Sequence, residues 1–392
     1  MSYLKENDIL VLEKNNGTVK RIINEKMVDE PLLDLNVATK GERGLLGISV
    51  SHSKNNVTYI FLYLTESKNQ DGEDSTNGAL PLGNRIYRYE LSDDGLRLEN
   101  PKLLIDLPAG PGSLHNGGSM TIGPDKNLYF IIGDMGNSHS RMTNFKNGDS
   151  PDGRSGILRI TQDGDKIDDD IQLGKKHPLN KYYAYGIRNG FGLDFDPISG
   201  NLWDSELGSE FGDEINLVEK NFNSGWSQVQ GLWKPNGSSM GEVSLDPSKL
   251  VDFHNTGKYS VPRLTTVDET GFTAIKFLNS NKLGNDYTNT LFVGDFHTGK
   301  LYNFKLDDNR NNLLLGNKDT NKTAYKMPEL EPYVFGQGFG GIVDLEVGPD
   351  GNLYVLSIYY GGDNCYEDIE DKTQCFDYSS QTPGTIFKIK LK

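Results

Sequence analysis

The chain lacks most of what would tie it to a membrane, a zinc site or a polyanion. No apolar stretch approaches the roughly 20 residues that a membrane helix needs, so no membrane span is expected. The N-terminus carries no signal-peptide pattern, as would also hold for a trimmed chain. Only two cysteines are present, Cys365 and Cys375 in "NCYEDIEDKTQC", and no histidine lies nearby to complete a zinc site. Their polar loop suits a disulfide instead, and with it an extracytoplasmic home; a pair of reduced thiols is the alternative. Positive charge is in deficit: 40 Lys plus Arg against 55 Asp plus Glu gives a net charge of −15. That field repels nucleic acid and anionic membranes while tolerating neutral substrates and cations. A long amphipathic helix is also missing, as is any Pro-, Ser- or Gly-rich linker that would separate domains.

What the chain has is glycine, 45 residues of it, and 10% aromatics, which favours many short strands joined by tight turns. One pattern recurs, a Gly followed by a short alternating strand with polar or basic residues at its end. It reads "GTVKRIINE", "GNRIYRYEL", "GRSGILRIT", "GDEINLVEK", "GKLYNFKL" and "GTIFKIKL". Six copies over 392 residues give a period of about 65. A second pattern puts a Pro-Asp or Asp-Pro turn before an apolar strand, as in "IGPDKNLYFIIGD", "FDPISGNLWDSELG" and "VGPDGNLYVLSIYYG". Together they predict an all-β chain, a single six-bladed β-propeller over residues 1–392 with four-stranded antiparallel blades. The first and last copies are expected to share a blade and close the ring. A pair of β-sandwiches competes, but has no linker to support it. Insertions at 66–83, 137–153, 234–250 and 359–375 are expected to rim one face as long loops.

Three segments could carry chemistry. In "GERGLLGISV", Glu42 and Arg43 stand in a Gly-bounded turn and read, taken alone, as a surface ion pair. In "LHNGGSMTIGPDKNLYFIIGDMGN", a Pro-Asp turn between antiparallel strands would bring Asp134 beside His115. A carboxylate there would fix the imidazole tautomer and suit a general base; a solvated loop histidine is the other reading. The third segment runs "YAYGIRNGFGLDFDPISGNLWDSELGSEFGDEINLVEKNFNSGW". It sets Arg188 and Asn189 at a strand entry and follows them with the acidic, Gly-rich loop "ELGSEFGDE". Carboxylates and free carbonyls of this kind suit a hard cation such as Ca²⁺, or form a solvated acidic loop.

Taken in order, these segments resemble the soluble, calcium-dependent quinoprotein glucose/sorbosone dehydrogenase family, from about residue 30 to the C-terminus. The resemblance implies a six-bladed propeller that binds pyrroloquinoline quinone (PQQ) and oxidises a sugar or polyol, passing electrons to an external acceptor. It implies that His115 is the base and Asp134 the carboxylate orienting it. Glu42 falls where the family has a Gln facing substrate and cofactor, and Arg188 and Asn189 match residues contacting the quinone oxygens. Gly208 and Ser209 match carbonyl ligands of the catalytic Ca²⁺, while Glu214 and Ser224 match a further Ca²⁺ site. His297 stands at the family's Lys position.

The chain departs from the pattern as well. "GIRNGFG" places Ile187, Gly190 and Phe191 where the family has His, Pro and Gln, and Gly341 and Val343 occupy two arginine positions in "FGGIVDLEVGPDG". The Trp-Pro segment that lines the sugar site is not recognisable in "SVPRLTTVDET". PQQ carries three carboxylates, whose burial requires cations; here Ca²⁺, Arg188, His297 and Lys300 are the candidates. Three readings therefore stand: a PQQ- and Ca²⁺-dependent aldose or polyol dehydrogenase, a Ca²⁺-bound propeller that binds carbohydrate or protein without redox chemistry, and a metal-assisted hydrolase such as a lactonase. The sugar, the acceptor and the oligomeric state are not encoded legibly.

Overall fold

Strand Thr58–Glu66, "TYIFLYLTE", shows how this sequence builds its layers. Side chains alternate across a strand, and here both faces are apolar. Phe61 and Tyr63 enter one hydrophobic cluster with Phe130, Leu158 and Tyr185. Ile60, Leu62 and Leu64 enter another with Leu10, Val19 and Tyr89. A strand buried on both faces needs a neighbour on each side of its sheet, which is the condition inside a stack of blades.

The computed structural model describes residues 1–53, 56–68, 81–168, 172–237, 239–243, 246–316, 323–358 and 384–391. Among these the fold is all-β, of the β-propeller type, and the one α-helix is a single turn, Met327–Leu330. No helix among the described residues is long and apolar enough to cross a membrane. The chain forms two compact units, the first of residues 1–190, 219–228 and 246–260, the second of residues 191–218, 229–245 and 261–392.

The first unit holds three sheets. Ser2–Lys5, Asp8–Glu13, Thr18–Ile23 and Lys26–Met27 run in order, with Leu33–Asp34 also pairing Thr18–Ile23. Leu45–His52, Thr58–Glu66, Gly83–Leu91 and Leu98–Leu107 form a four-stranded antiparallel meander. Met120–Ile122, Leu128–Ile132, Gly156–Ile160 and Tyr182–Tyr185 form another, extended by the parallel additions Phe222–Asn223 and Lys258–Tyr259.

In the second unit, Gly190–Phe195, Leu202–Glu206, Glu214–Val218 and Leu264–Thr266 are extended by parallel Ala324–Tyr325. Phe272–Phe277, Leu291–Asp295, Leu301–Phe304 and Val334–Gly336 make a four-stranded sheet, and Gly341–Val347, Leu353–Ile358 and Thr385–Lys388 a three-stranded one. Trp233–Asn236 and Ser239–Val243 form a separate hairpin.

Two expectations are corrected here. Five sheets, not six, reach the four strands of a full blade among the described residues, and their size varies from four to six strands. The variation arises because two-residue strands of loop backbone add to these sheets, parallel at Phe222–Asn223, Lys258–Tyr259 and Ala324–Tyr325 and antiparallel at Leu33–Asp34, with no alternating pattern to announce them. The last repeat, "GTIFKIKL", completes a three-stranded sheet only. Among the described residues the N-terminal strands share no sheet with it either: Ser2–Lys5 pairs Asp8–Glu13, a local hairpin requiring little loop closure. Cys365, Cys375 and the 359–375 insertion lie outside the described residues.

The Pro-Asp turns have a shared cause. Asp125 Oδ1 accepts the Asn127 N–H (3.1 Å), and its Oδ2 accepts Asn127 Nδ2 (2.8 Å) and the Tyr129 hydroxyl (3.0 Å). Asp350 repeats the set with the Asn352 N–H (3.0 Å), Asn352 Nδ2 (2.9 Å) and Tyr354 (2.9 Å). One carboxylate thereby satisfies the turn and aims the next strand.

Candidate active site

Residues 115–118 pass through a gap that only glycine fits. Gly117 (φ +72°) and Gly118 (φ +121°) both lie in the left-handed region. A Cβ on Gly117 would sit 2.2 Å from the Ile131 carbonyl oxygen, and one on Gly118 2.6 Å from Leu46 Cβ. The constraint extends to His115, whose φ is +62°. A non-glycine residue in that region carries strain on the order of 1–3 kcal/mol, which its surroundings must hold in place. They do so by hydrogen bonds. Tyr63 donates its hydroxyl to the Asn116 carbonyl (2.8 Å), Asn116 Nδ2 donates to the Ser113 carbonyl (2.7 Å), and Asn84 Nδ2 donates to Asn116 Oδ1 (3.2 Å). The His115 amide donates to Glu42 Oε2 at 2.5 Å.

The imidazole is thus presented on a rigid backbone, 14% exposed, with Nδ1 2.6 Å from Asp134 Oδ1. Antiparallel pairing of Met120–Ile122 with Leu128–Ile132 across the Pro-Asp turn brings these two together. Asp134 is buried and tied on both oxygens: Oδ1 also accepts the Gly136 N–H (3.0 Å), and Oδ2 accepts the Trp226 indole N–H (2.8 Å). Burial alone would raise its pKa, but His115, Gly136 and Trp226 outweigh that and hold the carboxyl below its usual range. An ionised carboxylate only accepts hydrogen bonds, so Nδ1 carries the proton and Nε2 presents a lone pair. That is the arrangement of a general base.

Arg188 lies on the same unit. Its guanidinium carbon is 5.4 Å from the centre of the Trp226 ring, within cation–π range. Its carbonyl accepts the Asp134 N–H at 2.9 Å, so Asp134 and Arg188 share one backbone link. Gly133 makes this approach possible: a Cβ there would lie 2.4 Å from the Arg188 carbonyl oxygen and 2.9 Å from His115 Cβ. Asn189 is 5% exposed, and its Oδ1 has no donor among the described residues.

The Glu42–Arg43 turn is not a surface ion pair. Arg43 is 2% exposed and donates to the carbonyls of Ala109 (2.7 Å) and Gly112 (3.1 Å), securing the loop that leads to His115. Glu42 clamps the His115 amide. Two residues of this neighbourhood escaped sequence reading. Trp226 was visible only as the "GW" closing the third segment. Lys14 donates to the Gly41 carbonyl at 3.1 Å, and burial lowers its pKa to about 8 despite the opposing charge of Glu42.

In the second unit, Gly208 donates its N–H to Asp213 Oδ1 at 2.8 Å, and a Cβ there would collide with the Phe211 carbonyl oxygen at 1.9 Å. Ser209 Oγ accepts from Gln230 Nε2 at 3.3 Å. Glu214 is 5% exposed; its Oε1 accepts the Gly231 N–H (2.6 Å) and its Oε2 accepts Asn216 Nδ2 (3.0 Å). Ser224 belongs to the first unit, where its N–H donates to the Tyr185 carbonyl at 3.0 Å. No three His, Cys, Asp or Glu side chains among the described residues already converge on a cation position.

His297 packs on Gly271, where a Cβ would come within 2.9 Å of its ring, and its Nδ1 is 3.8 Å from Glu269 Oε1. Its N–H donates to Asp295 Oδ1 (2.8 Å), whose other oxygen accepts the Thr298 hydroxyl (2.6 Å). Burial pushes the Asp295 carboxyl up to about 6 despite these donors. A raised folded-state pKa contributes stability that is full below the unfolded value, near 4, and is lost as pH rises through about 6. Asp295→Asn is therefore expected to flatten stability between pH 4 and 7, by on the order of 2 kcal/mol. Urea melts across that range check it, and an unchanged pH profile contradicts it.

The model of the Glucose / Sorbosone dehydrogenase family matches residues 1–363. Quinoprotein glucose dehydrogenase B of Acinetobacter calcoaceticus is 27% identical, over 99% of this chain and 87% of its own length. A crystal structure of a glucose dehydrogenase superposes with a TM-score of 0.71 at 20% identity, over 100% of this chain and 95% of that one. The PQQ-bound aldose sugar dehydrogenase of Streptomyces coelicolor superposes with a TM-score of 0.66 at 21% identity, over 98% and 90%. The two structures share its fold. With the family model spanning nearly the whole sequence, the chain belongs to the glucose/sorbosone dehydrogenase family, oxidoreductases that act on CH–OH groups.

Proposed function

We propose that this chain is a PQQ- and Ca²⁺-dependent dehydrogenase of aldoses or polyols, with an external acceptor taking the electrons. The observation that carries the reading is the Asp134-held His115, whose Nε2 is left as the proton acceptor. His115 takes the proton of the anomeric hydroxyl while the carbon-bound hydrogen leaves as hydride. Bound PQQ supplies the electrophilic quinone that accepts it. Asp134 keeps the imidazole in the reactive tautomer and stabilises the imidazolium that forms. Trp226 and Gly136 fix Asp134 in turn.

The residues present fit such a group. Arg188 offers a cation stacked on an indole, and Asn189 a buried amide whose carbonyl oxygen lacks a donor. Gly208 and Ser209 would offer carbonyl oxygens to Ca²⁺, and Glu214 a carboxylate to a further cation. His297 and Lys300 are each engaged with a carboxylate, Glu269 and Glu331. With glycine and valine at 341 and 343, Arg188 would bear more of the cofactor's charge than elsewhere in the family. Arg188→Ala is accordingly expected to weaken PQQ binding about tenfold or more, the range of a lost charge-assisted hydrogen bond. Equilibrium titration of Ca²⁺-loaded protein, followed by quinone absorbance, tests this; equal affinity for variant and wild type contradicts it.

Gly341 and Val343 favour one second reading, a Ca²⁺-bound propeller without redox activity; absence of any PQQ binding in that titration would select it. We treat residues 1–392 as one catalytic domain, because both units are assembled from interleaved segments. An extracytoplasmic setting rests on the Cys365–Cys375 bridge, which peptide mapping without reduction would reveal.

A further inference from the structure

The strained backbone of His115 is held by a carboxylate, and that carboxylate lies in the field of a half-buried lysine. His115 keeps its left-handed conformation (φ +62°) while its amide donates to Glu42 Oε2 at 2.5 Å. Glu42 is anchored by its own N–H as well, which donates to the Ser113 carbonyl at 3.0 Å. A carboxylate accepting an amide makes a charge-assisted bond, roughly twice as strong as a neutral one. It also sets a negative charge beside the base, where partial burial calls for a balancing cation.

Lys14 is placed to supply it. The residue follows strand Asp8–Glu13, and both its backbone and its side chain are tied to the turn that carries Glu42. The Lys14 carbonyl accepts the Leu45 N–H at 2.9 Å, and the ammonium donates to the Gly41 carbonyl (3.1 Å) and to Asn15 Oδ1 (2.8 Å). Gly44 (φ +151°) leaves room for the lysine stem, since a Cβ there would lie 2.6 Å from Lys14 Cγ and from the Lys14 carbonyl oxygen. Burial lowers the Lys14 pKa to about 8, and the charge of Glu42 opposes that fall. The other charged groups on the surrounding elements are engaged or face solvent. Asp8 pairs with Arg21, Glu13 accepts the Thr18 hydroxyl, Lys20 donates to the Asp29 carbonyl, and Arg43 donates to the Ala109 and Gly112 carbonyls. Lys40 is exposed, His52 is exposed at the far end of its strand, and Asp134 is tied to the His115 ring and the Trp226 indole.

We propose that Lys14 is a positioning residue for the base: its ammonium balances Glu42 and so keeps that carboxylate on the His115 amide. The assignment rests on His115 being the base of the function proposed above. While Lys14 carries its proton, Glu42 stays against the amide. Once that proton leaves, near pH 8, an uncompensated carboxylate is drawn toward water and the strained His115 backbone relaxes. Turnover should therefore carry an alkaline limb that belongs to Lys14.

Two readouts test this. Selective ¹⁵N-histidine labelling leaves six backbone amides to follow, and His115→Asn identifies the one in question. No PQQ, calcium or sugar is needed. The His115 amide proton is expected far downfield at neutral pH and to move upfield as pH rises through about 8. Lys14→Arg keeps its charge over this range and should hold the amide downfield; Lys14→Met should place it upfield already at neutral pH. The second readout is the pH profile of kcat. Wild type is expected to lose about fivefold across the alkaline limb, and Lys14→Arg and Glu42→Gln to lack that limb. Lys14→Met should be slow at neutral pH and recover when Glu42→Gln is added. A wild-type amide that does not move above neutral pH overturns the proposal, as does an unshifted limb in Lys14→Arg. An equal deficit at every pH in Lys14→Met, not recovered by Glu42→Gln, is the mark of a merely structural lysine and overturns it too. Should Lys14→Met not fold, the amide titrations of wild type and Lys14→Arg decide alone. The dehydrogenase reading fails separately, through absent turnover in wild type whose His115 amide titrates as expected.

Discussion

Replacing His115 by alanine is expected to lower sugar oxidation by about 10²- to 10⁴-fold, the usual cost of losing a general base. The melting temperature should barely move, because the imidazole is held at the edge of the core rather than within it. His115→Asn is the better control. Asparagine tolerates the left-handed backbone that this position imposes (φ +62°), so the 115–118 passage survives while the base does not. Asp134→Asn should be nearly as damaging to turnover. An amide facing Nδ1 no longer enforces the tautomer, and the Trp226 indole N–H loses its carboxylate. Asp134 also makes stability depend on pH. Its folded-state pKa is depressed, so its contribution is present above the unfolded value, near 4, and fades as pH falls through the lower folded one. Turnover of His115→Asn within a few-fold of wild type would remove the imidazole from the chemistry.

A larger effect on the fold is expected at Asp213, which is fully buried. One oxygen accepts the Gly208 N–H (2.8 Å), and the other accepts the Thr270 N–H (3.2 Å), its hydroxyl (2.8 Å) and the N–H groups of Gly271 (2.6 Å) and Phe272 (3.4 Å). This carboxylate joins the loop proposed to offer its carbonyls to Ca²⁺ to the turn on which His297 packs. Asp213→Ala strands these donors in a buried site, at about 1–3 kcal/mol for each left unsatisfied. Water can reach some of them, so the net loss is expected near 4 kcal/mol, with a fall in melting temperature of about 5 °C. Calcium affinity should fall with it, since Gly208 is no longer anchored. A shift below about 2 °C would mean that the buried donors found other partners.

The contrast between these two sites shows what the sequence could reveal. The Pro-Asp turns were legible because their hydrogen bonds span four residues or fewer, as at Asp125 and Asp350. His115 and Asp134 were legible too, since a single hairpin carries both. Trp226 was not, because it reaches Asp134 across 92 residues of chain that local patterns do not span. Lys14 escaped for the same reason, lying 27 residues before the Gly41 carbonyl that it meets. Glu42 read, taken alone, as half of a surface ion pair with Arg43; its carboxylate instead accepts the strained His115 amide. Asp204 sat within "NLWDSELG", read as strand followed by acidic loop, and only strand register reveals that its carboxyl points into a buried face beside Glu206 and Glu214. Sheet size failed for a related reason, since parallel two-residue additions leave no period to read.

The central claim is that Asp134-oriented His115 performs base chemistry on a sugar. It is tested most directly by dye-linked oxidation of an aldose and polyol panel, using wild type and His115→Asn, both loaded with Ca²⁺ and excess PQQ. The account predicts steady turnover of at least one aldose by wild type and a loss of about 10²-fold or more in the variant, with PQQ binding retained. Absence of oxidation across the panel by wild type that binds both Ca²⁺ and PQQ, or equal turnover by the two proteins, would contradict it.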